Sequence, residues 1–461
     1  MLLEADWILP ISGPPMADCA VAVADGKIVE VGPAAELRAR RAGEEVRRFP
    51  GCVLMPGLVN VHSHLEYSAF HGFSRSCGFG EWMLRLLLAR RKLTVDDYAV
   101  SARWGARECA RAGMTCLADT SFEGWTSARA AGEAGLRARV HLEVIGLDDA
   151  DLPKIMERME ARLAVLDAAC GPLVEPGLSP HAPYSVSPRL YRELARFARR
   201  EDLRLATHVA ESKSEVELLE HGTGAIAQAY KAAQLWKGQR WSPPGVSPVA
   251  FLEQSDALGS EMLAVHCVQL DGNDVAVLAR SGATVAHCPR SNWRLQCGTA
   301  PAAELRAAGI AVGLGTDSLA SNESLDLFAE MRAAVEMSRG RRTDPGGAVV
   351  PPLQSGLDET ATLRMATLEG AAALGFEARL GSLEVGKEAD IIAVCMPAEG
   401  AADSGLAALI VSSTTAANVR LTMVGGTVIF DRDATPGEKD DLDEEFAAVR
   451  KKLGLDPSIT G

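Results

Sequence analysis

Between residues 56 and 338, short apolar segments alternate with longer amphipathic segments. Segments such as Met262–Cys267 are short and rich in strand-forming residues, whereas segments such as Leu152–Ala169 repeat their apolar residues at helical spacing. Regular alternation of this kind predicts parallel strands joined by crossover helices, and we count about eight such units, which favours a closed barrel over an open sheet. We therefore predict an α/β fold built around a (β/α)8 TIM barrel.

Both ends of the chain contain short strands and tight turns instead. Asp25-Gly26 and Gly425-Gly426 each separate two apolar runs, which is typical of a β-hairpin. Neither end is long enough to enclose a core alone, so the two ends are expected to form one small β-sandwich together. The predicted domains are a composite sandwich (1–55 with 378–435), a metal-dependent barrel (56–377), and a C-terminal helix and tail (436–461).

The composition is that of a folded, acidic protein. Hydrophobic residues make up 47% of the chain and charged residues 23%. The formal net charge of -14 disfavours binding to nucleic acid or to an anionic membrane, and no apolar run approaches membrane-spanning length. The 10 cysteines form no C-x-x-C pair and the first residues lack a basic signal-peptide region, so we expect a cytoplasmic protein with reduced thiols.

Histidines are concentrated at the predicted C-terminal ends of the barrel strands, where barrel enzymes build their active sites. Five of the 9 histidines of the chain belong to this rim, namely His62, His64, His181, His208 and His266. Asp317 follows the eighth predicted strand and reaches the same rim. Such clustering predicts a polar site that holds a metal ion.

His62 and His64 are two residues apart in a predicted strand, so their side chains point to the same side and can reach one ion. With His208 and Asp317 they supply three imidazole nitrogens and one carboxylate oxygen. This set suits one divalent ion, zinc in the first place and iron or manganese as alternatives, with a position left for water. Such an ion lowers the pKa of its water to about 7.

Two further polar residues can act on that water. Glu211 follows His208 by three positions and is either a proton shuttle or a solvated carboxylate at a helix start. His266 is predicted to be a second base or an orienting group, because the ligand set is already complete without it.

Six motifs in this order resemble the amidohydrolase superfamily, and within it the mononuclear deaminases and chlorohydrolases of aminated heterocycles. They are PGLVNVHSH, SPHAPYSVSP, THVAES, AVHCVQL, CPRSN and GTDSLASNESLDL. The resemblance covers nearly the whole chain. It implies a (β/α)8 barrel, a β-sandwich made from both termini, and hydrolytic loss of ammonia or halide from a ring carbon.

The resemblance also implies roles for the matching residues. The four ligands named above match the family's metal ligands, and Asp317 would also accept a proton from the water. Glu211 matches the residue that moves this proton to the ring nitrogen and the leaving group, and His266 the residue that orients the nucleophile. His181 matches a position that often contacts substrate. No lysine stands near Gly177–His181, where relatives with two ions carry a bridging lysine, so one ion is expected.

At the level of substrate, HLEYSAFHG, FGEWM and CPRSN resemble the members that deaminate adenine-bearing nucleosides. Glu66 is predicted to accept from a ring N–H or a ribose hydroxyl, or else to form a salt bridge at the rim. Trp82 is predicted to stack on a ring or to belong to the core. Arg290 and Asn292 are predicted to bind a carboxylate-bearing tail. His71 receives no role.

We therefore expect a metal-dependent hydrolytic deaminase acting on the adenine ring of a 5′-modified nucleoside, such as 6-amino-6-deoxyfutalosine, adenosine or an S-adenosylhomocysteine-like compound. The alternatives are hydrolysis of another ring (guanine, cytosine, pterin or a halogenated s-triazine) and, from a different class, a non-catalytic barrel that binds a small molecule. Glu211, His266 and Asp317 together argue against the last, because binding alone needs no proton-transfer set. A homodimer is common in the family, and the sequence leaves the oligomeric state open.

Overall fold

Eight parallel strands surround the centre of the molecule in chain order. The computed structural model describes residues 1–73, 77–232, 242–340, 342–343, 349–350, 356–396, 405–434 and 441–456. The central strands are Leu58–Ser63, Met114–Ser121, Arg137–Val144, Val174–Pro180, Arg204–Val209, Met262–His266, Thr284–His287 and Val312–Leu314. The main-chain N–H of Asp317 donates to the carbonyl of His62 at 3.0 Å, which joins the eighth strand to the first. The predicted (β/α)8 barrel is confirmed.

Small and branched side chains fill the interior of the barrel. The second and third strands are buried at every position, as expected where helices cover the outside and side chains fill the inside. The interior cluster includes Val59, Val61, Cys116, Ala118, Ala206, Leu263, Val265 and Ala286. Because the centre is packed, polar side chains with a chemical role have room only at the ends of the strands.

Helices follow the barrel strands, and Leu152–Ala169 and Pro188–Arg200 have the predicted bounds. The others around the barrel are Phe79–Ala89, Val95–Arg111, Trp125–Glu133, Lys213–His221, Gly224–Ala232, Pro248–Gln254, Gly272–Ser281, Pro289–Arg294, Ala302–Ala307 and Leu327–Ser338. No helix in the described part of the chain combines the length and the hydropathy that a membrane crossing requires. The Trp-, Pro- and Gly-rich segment 235–248 is predicted to be an insertion and the Gly- and Pro-rich segment 341–356 a loop; residues 235–241 of the first and most of the second lie outside the described residues.

The sequence pattern of residues 358–374 predicts one continuous helix, and this prediction is wrong, because the structure contains two helices, Glu359–Met365 and Leu368–Ala373. The break lies at Thr367, whose φ of -135° and ψ of -97° are not helical. The carbonyl of Ala366 accepts a hydrogen bond from the main-chain N–H of Val59 at 2.8 Å, instead of a bond from within the helix. Pairing with the first barrel strand therefore interrupts the helix.

Strands from both termini form one seven-stranded sheet beside the barrel. In spatial order they are Thr427–Asp431, Val419–Val424, Ile391–Cys395, Val46–Pro56, Leu2–Ile8, Met16–Ala24 and Lys27–Pro33. The strand Val46–Pro56 pairs in parallel with Leu2–Ile8 and antiparallel with Ile391–Cys395, so it unites the two ends of the chain. The predicted second sheet from both termini is confirmed, while the boundaries between the domains stay a prediction.

The two hairpin turns predicted from sequence lie against each other. Gly26 has φ of +77°, and a Cβ atom at this position would lie 3.0 Å from the carbonyl oxygen of Gly425. These turns belong to strands near opposite ends of the sheet order, so the sheet curls around a shared core that includes Val21, Ile391 and Met423. Glycine is needed where the two backbones approach this closely.

The C-terminal helix Asp441–Leu453 packs on the outside of the barrel. The Phe446 ring stacks on Trp104 with 4.1 Å between the ring centroids. Arg450 is completely buried and donates to the carbonyl oxygens of Ala69 and His71 at 3.1 and 2.9 Å. The helix therefore supports the segment that follows the first barrel strand.

Replacing Phe446 by Ala should destabilise the protein by about 3 kcal/mol or more, because it opens a cavity next to a buried tryptophan. Urea unfolding followed by circular dichroism measures this change. The matched control is Glu445→Ala on the exposed side of the same helix, whose ion pair with Arg103 should contribute about 0–1 kcal/mol. Equal losses for the two variants would contradict the packing role of Phe446.

Candidate active site

A cavity of about 280 Å³ opens at the C-terminal ends of the barrel strands. Its lining includes five of the residues predicted to hold the metal ion or to act on the water, namely His64, His208, Glu211, His266 and Asp317. The structure therefore brings together residues from the first, fifth, sixth and eighth strands and the turns after them.

The predicted metal ligands form a tight cluster at the floor of this cavity. The Nε2 atoms of His62 and His64 each lie 3.6 Å from Oδ1 of Asp317. Nε2 of His208 lies 3.4 Å from Nε2 of His64. All four residues are buried, and Nε2 of His62 has no hydrogen-bond partner among the described residues. Buried imidazole nitrogens converging on one carboxylate oxygen fit a divalent ion.

His266 belongs to the same cluster, since one ligand atom from each of His62, His208 and His266 lies within 4.8 Å of the others. Its Nδ1 lies 2.9 Å from Oδ1 of Asn292, a contact that orients the ring. The Nδ1 atom of His208 lies 2.9 Å from the carbonyl oxygen of His181, which can only accept, so Nδ1 of His208 donates. Nε2 of His208 is therefore the nitrogen without a hydrogen, and its lone pair faces the site.

Backbone strain is concentrated at this rim. Four non-glycine residues around the site have positive φ: Ala210 (52°), His266 (74°), Cys267 (50°) and Asp317 (55°). Such conformations cost free energy and persist only where the surroundings hold them, frequently at functional sites. Here the N–H of Cys267 donates to the carbonyl of Val209 at 3.1 Å, which ties the end of the sixth strand to the fifth.

Glu211 faces the cavity from the turn after the fifth strand. Burial raises the pKa of its carboxyl well above the usual range, and the charges of Asp317 and Glu215 raise it further. Its Oε1 lies 3.6 Å from Nε2 of His266. The turn is held by Glu215, whose carboxylate accepts from the main-chain N–H groups of Ala210 and Glu211 at 3.1 and 2.9 Å. Glu211 is therefore suited to carry a proton at neutral pH.

Asp317 is surrounded by donors. Its Oδ2 accepts from the hydroxyls of Ser291 and Ser321 at 2.6 and 2.8 Å, and its Oδ1 from the N–H of Ser318 at 2.7 Å. Burial alone would raise the pKa of Asp317, but the close approach of the His62 imidazole and the electrostatic effect of His266 and His64 hold the pKa well below the usual range. The side chain is therefore an ionised carboxylate, which is the form a metal ligand needs.

Of the residues predicted to bind substrate, the structure brings His181 and Trp82 to the cavity. The Nδ1 atom of His181 lies 2.7 Å from the hydroxyl of Ser185, and Nε1 of Trp82 donates to the carbonyl of Ala320 at 2.8 Å. Both rings are held by these bonds, and their contact with a substrate stays a prediction.

Glu66 does not line the cavity, contrary to the predicted substrate contact. Its buried carboxylate accepts from four groups in the loop after the second strand, namely the hydroxyls of Ser121 and Thr126 and the N–H groups of Phe122 and Glu123. The predicted rim salt bridge is also absent among the described residues, because no cation pairs with this carboxylate. Glu66 holds the loop in place.

Arg290 and Asn292 also lie outside the cavity lining, which argues against the predicted contact with a substrate tail. Nη1 of Arg290 donates to the hydroxyl of Ser324 at 2.9 Å and lies 3.5 Å from Oε1 of the buried Glu330. Asn292 is directed at His266 instead. The short helix Pro289–Arg294 thus turns both side chains toward the protein.

The cavity contains residues that we did not predict from sequence, above all Glu143, Tyr67, Arg90 and Tyr184. Glu143 is at the C-terminal end of the third barrel strand. The histidines were predicted from their positions at such strand ends, and Glu143 could have been predicted in the same way. Phe79, Met83 and Leu86 add apolar walls. His71, which had no role, lies in a separate cavity of about 550 Å³ that contains none of the other predicted site residues.

A parallel barrel that carries buried histidines and a carboxylate at its C-terminal rim has the architecture of the metal-dependent barrel hydrolases. The sequence profile of the amidohydrolase family matches residues 53–429, and an imidazolonepropionase-like composite domain of bacteria matches residues 20–40. The chain belongs to the amidohydrolase family, which confirms the resemblance found in its motifs.

Named relatives narrow the class further. The chain is 33% identical over 460 residues to a 5-methylthioadenosine/S-adenosylhomocysteine deaminase of Moorella thermoacetica, covering 98% of this chain and 99% of that protein. Its structure is similar to that of an adenosine deaminase from Xanthomonas campestris with bound zinc (TM-score 0.83, 27% identity, 98% of both chains). An aminofutalosine deaminase from Helicobacter pylori shares the fold (TM-score 0.77, 22% identity, 93% of this chain and 100% of that chain). The predicted class of enzyme, an aminohydrolase, is confirmed.

Replacing His208 by Ala should lower the affinity for a divalent metal by more than about 100-fold, because losing even a group that only orients a ligand costs about 10- to 100-fold. Metal content after dialysis against limiting zinc, measured by mass spectrometry, checks this. The control is His221→Ala, a histidine whose side chain is 66% exposed and does not line the cavity; this variant should bind metal as the unmodified protein does. Full metal retention by His208→Ala would remove it from the ligand set.

Proposed function

We propose that this protein is a zinc-dependent deaminase of adenine nucleosides modified at the 5′ position, of the 5′-methylthioadenosine and S-adenosylhomocysteine class. The observation that carries the proposal is the buried cluster of His62, His64, His208 and Asp317 with Glu211 beside it. The relatives named as deaminases of these compounds support the substrate class, and the zinc-bound adenosine deaminase of similar structure supports the choice of metal.

Bound by these four residues, the ion would supply Lewis-acid chemistry that makes a water molecule nucleophilic at neutral pH. The ionised Asp317 accepts a proton from that water. Glu211, whose pKa is raised by burial, donates its proton to a ring nitrogen next to the carbon under attack. His266, oriented by Asn292, orients the attacking water. The water oxygen forms a bond to the ring carbon, the bond from carbon to the amino group breaks, and the amino group leaves as ammonia with the proton that Asp317 took from the water. The ring nitrogen keeps the proton given by Glu211, and the second water proton, released as the carbonyl forms, returns to Glu211.

The walls of the cavity fit a flat heterocycle. Phe79 and Trp82 lie with their ring centroids 5.8 Å apart, and Phe79 and Tyr184 lie 6.4 Å apart. Such aromatic surfaces bind a purine by stacking and exclude water from the reacting carbon. The substrate contacts of Trp82 and His181 belong to this proposal.

The proposal also covers the cellular compartment and the oligomeric state of the protein. All 10 cysteines are free thiols, in line with a reducing compartment such as the cytoplasm. A homodimer stays a prediction from the family resemblance.

Ammonia release separates the proposed activity from its rivals. Protein loaded with zinc should release ammonia from 5′-methylthioadenosine, S-adenosylhomocysteine or adenosine, and the product should be the corresponding inosine. Guanine, cytosine, pterins and chlorinated triazines serve as the competing substrates. Hydrolysis of one of these with no turnover of any adenine nucleoside would replace the proposed function by a rival activity of the same fold.

Replacing Glu211 by Gln should lower kcat by about 100-fold or more, because the amide cannot pass a proton to the ring, while zinc stays bound. Single-turnover assays and metal analysis of the same sample measure both properties. Glu217→Gln, in the helix Lys213–His221 that follows the turn, is the matched control and should keep full activity. If Glu211→Gln turned over normally, another residue would have to carry the proton.

A further inference from the structure

One carboxylate in the cavity has no function in the proposed chemistry. Glu143 ends the third barrel strand, is only 5% exposed and lines the cavity beside His64, His181 and Arg90. Its Oε1 is buried and no described group donates a hydrogen bond to it. A buried polar atom without a partner costs free energy unless a ligand supplies the missing bond.

The nearest cations do not satisfy this carboxylate. Among the described residues no lysine or arginine forms an ion pair with it. The guanidinium carbon of Arg90 lies 4.4 Å from the centre of the Phe122 ring instead. Arg162 donates to the main-chain carbonyl of Glu143 at 3.2 Å and leaves the carboxylate free. The side chain therefore offers an acceptor to whatever occupies the cavity.

The chemistry of an adenine nucleoside limits what can donate to Glu143. The ring nitrogens N1, N3 and N7 are acceptors, and the one ring donor is the amino group that is lost in the reaction. That group belongs near His266 and Asp317, at the ends of the sixth and eighth strands. Around the barrel, the third strand lies three strand positions from the sixth and three from the eighth, so Glu143 is on the other side of the rim. The other donors that 5′-methylthioadenosine, S-adenosylhomocysteine and adenosine all share are the 2′ and 3′ hydroxyls of the ribose.

We infer that Glu143 binds the ribose 2′,3′-diol of the substrate and makes the enzyme selective for ribonucleosides over deoxynucleosides. The inference rests on the proposed function, because it places the adenine amino group at the metal cluster. A carboxylate that accepts from two neighbouring hydroxyls makes a strong and specific contact. A site built to bind a hydroxyl rejects the analogue that lacks it, since its own polar group is then left unpaired.

The test compares adenosine, 2′-deoxyadenosine, 3′-deoxyadenosine and 2′,3′-dideoxyadenosine as substrates. For the unmodified enzyme, kcat/KM should fall by about 10- to 100-fold when both hydroxyls are removed, the factor expected for hydrogen bonds to a charged group. In Glu143→Leu, kcat/KM for adenosine should fall to a similar extent, mainly through KM, while dideoxyadenosine should change by less than about threefold. Glu143→Gln, which keeps an acceptor, should recover part of the discrimination.

Glu175→Gln is the matched control, because Glu175 lies near the opposite end of the neighbouring fourth strand, 46% exposed and paired with Arg139. It should retain both activity and discrimination. Equal use of adenosine and dideoxyadenosine by the unmodified enzyme would overturn the role of Glu143 and leave the deaminase proposal standing, and this outcome does not depend on how a variant folds. Loss of activity on all four substrates alike in Glu143→Leu would also overturn it. Failure of the unmodified enzyme to deaminate any adenine nucleoside would overturn both proposals.

Discussion

The contact between the first and the eighth barrel strands is the constraint on which the site depends. The main-chain N–H of Asp317 donates to the carbonyl of His62, and the Asp317 side chain approaches the rings of both His62 and His64. One residue therefore joins the two ends of the barrel and completes the predicted ligand set. The φ of this residue is +55°, and its carboxylate is held by the hydroxyls of Ser291 and Ser321 and the N–H of Ser318, so backbone strain and a fixed side chain occur together at this point.

The sequence predicted the barrel well because its strands and helices are periodic and its polar residues stand at strand ends. His62, His64, His208 and Asp317 could be grouped from the sequence alone, since two-residue spacing and the end of a parallel strand both place a side chain without knowledge of its neighbours. The helix break at Thr367 could not be predicted, because it depends on a hydrogen bond to Val59, more than three hundred residues earlier.

Substrate contacts were harder to predict, for a related physical reason. Glu66 and Arg290 are close in sequence to predicted site residues. Their side chains, however, interact with groups of distant segments and do not line the cavity. Once the chain leaves a strand, the position of a residue in the sequence no longer predicts which way its side chain points. Glu143 faces the cavity because it is still within a strand, and its position could have been derived from the same alternation that placed the histidines.

The C-terminal helix has a consequence for how the protein is made. Arg450 donates to the carbonyls of Ala69 and His71, so the segment that follows the two predicted metal ligands of the first strand is held by a helix from the C-terminal part of the sequence. On the ribosome, all eight barrel strands are synthesised before this support exists. Until the helix Asp441–Leu453 is synthesised and Phe446 stacks on Trp104, the segment after the first barrel strand lacks this support. The segment after the first strand therefore gains this support only once residues 441–453 have been synthesised.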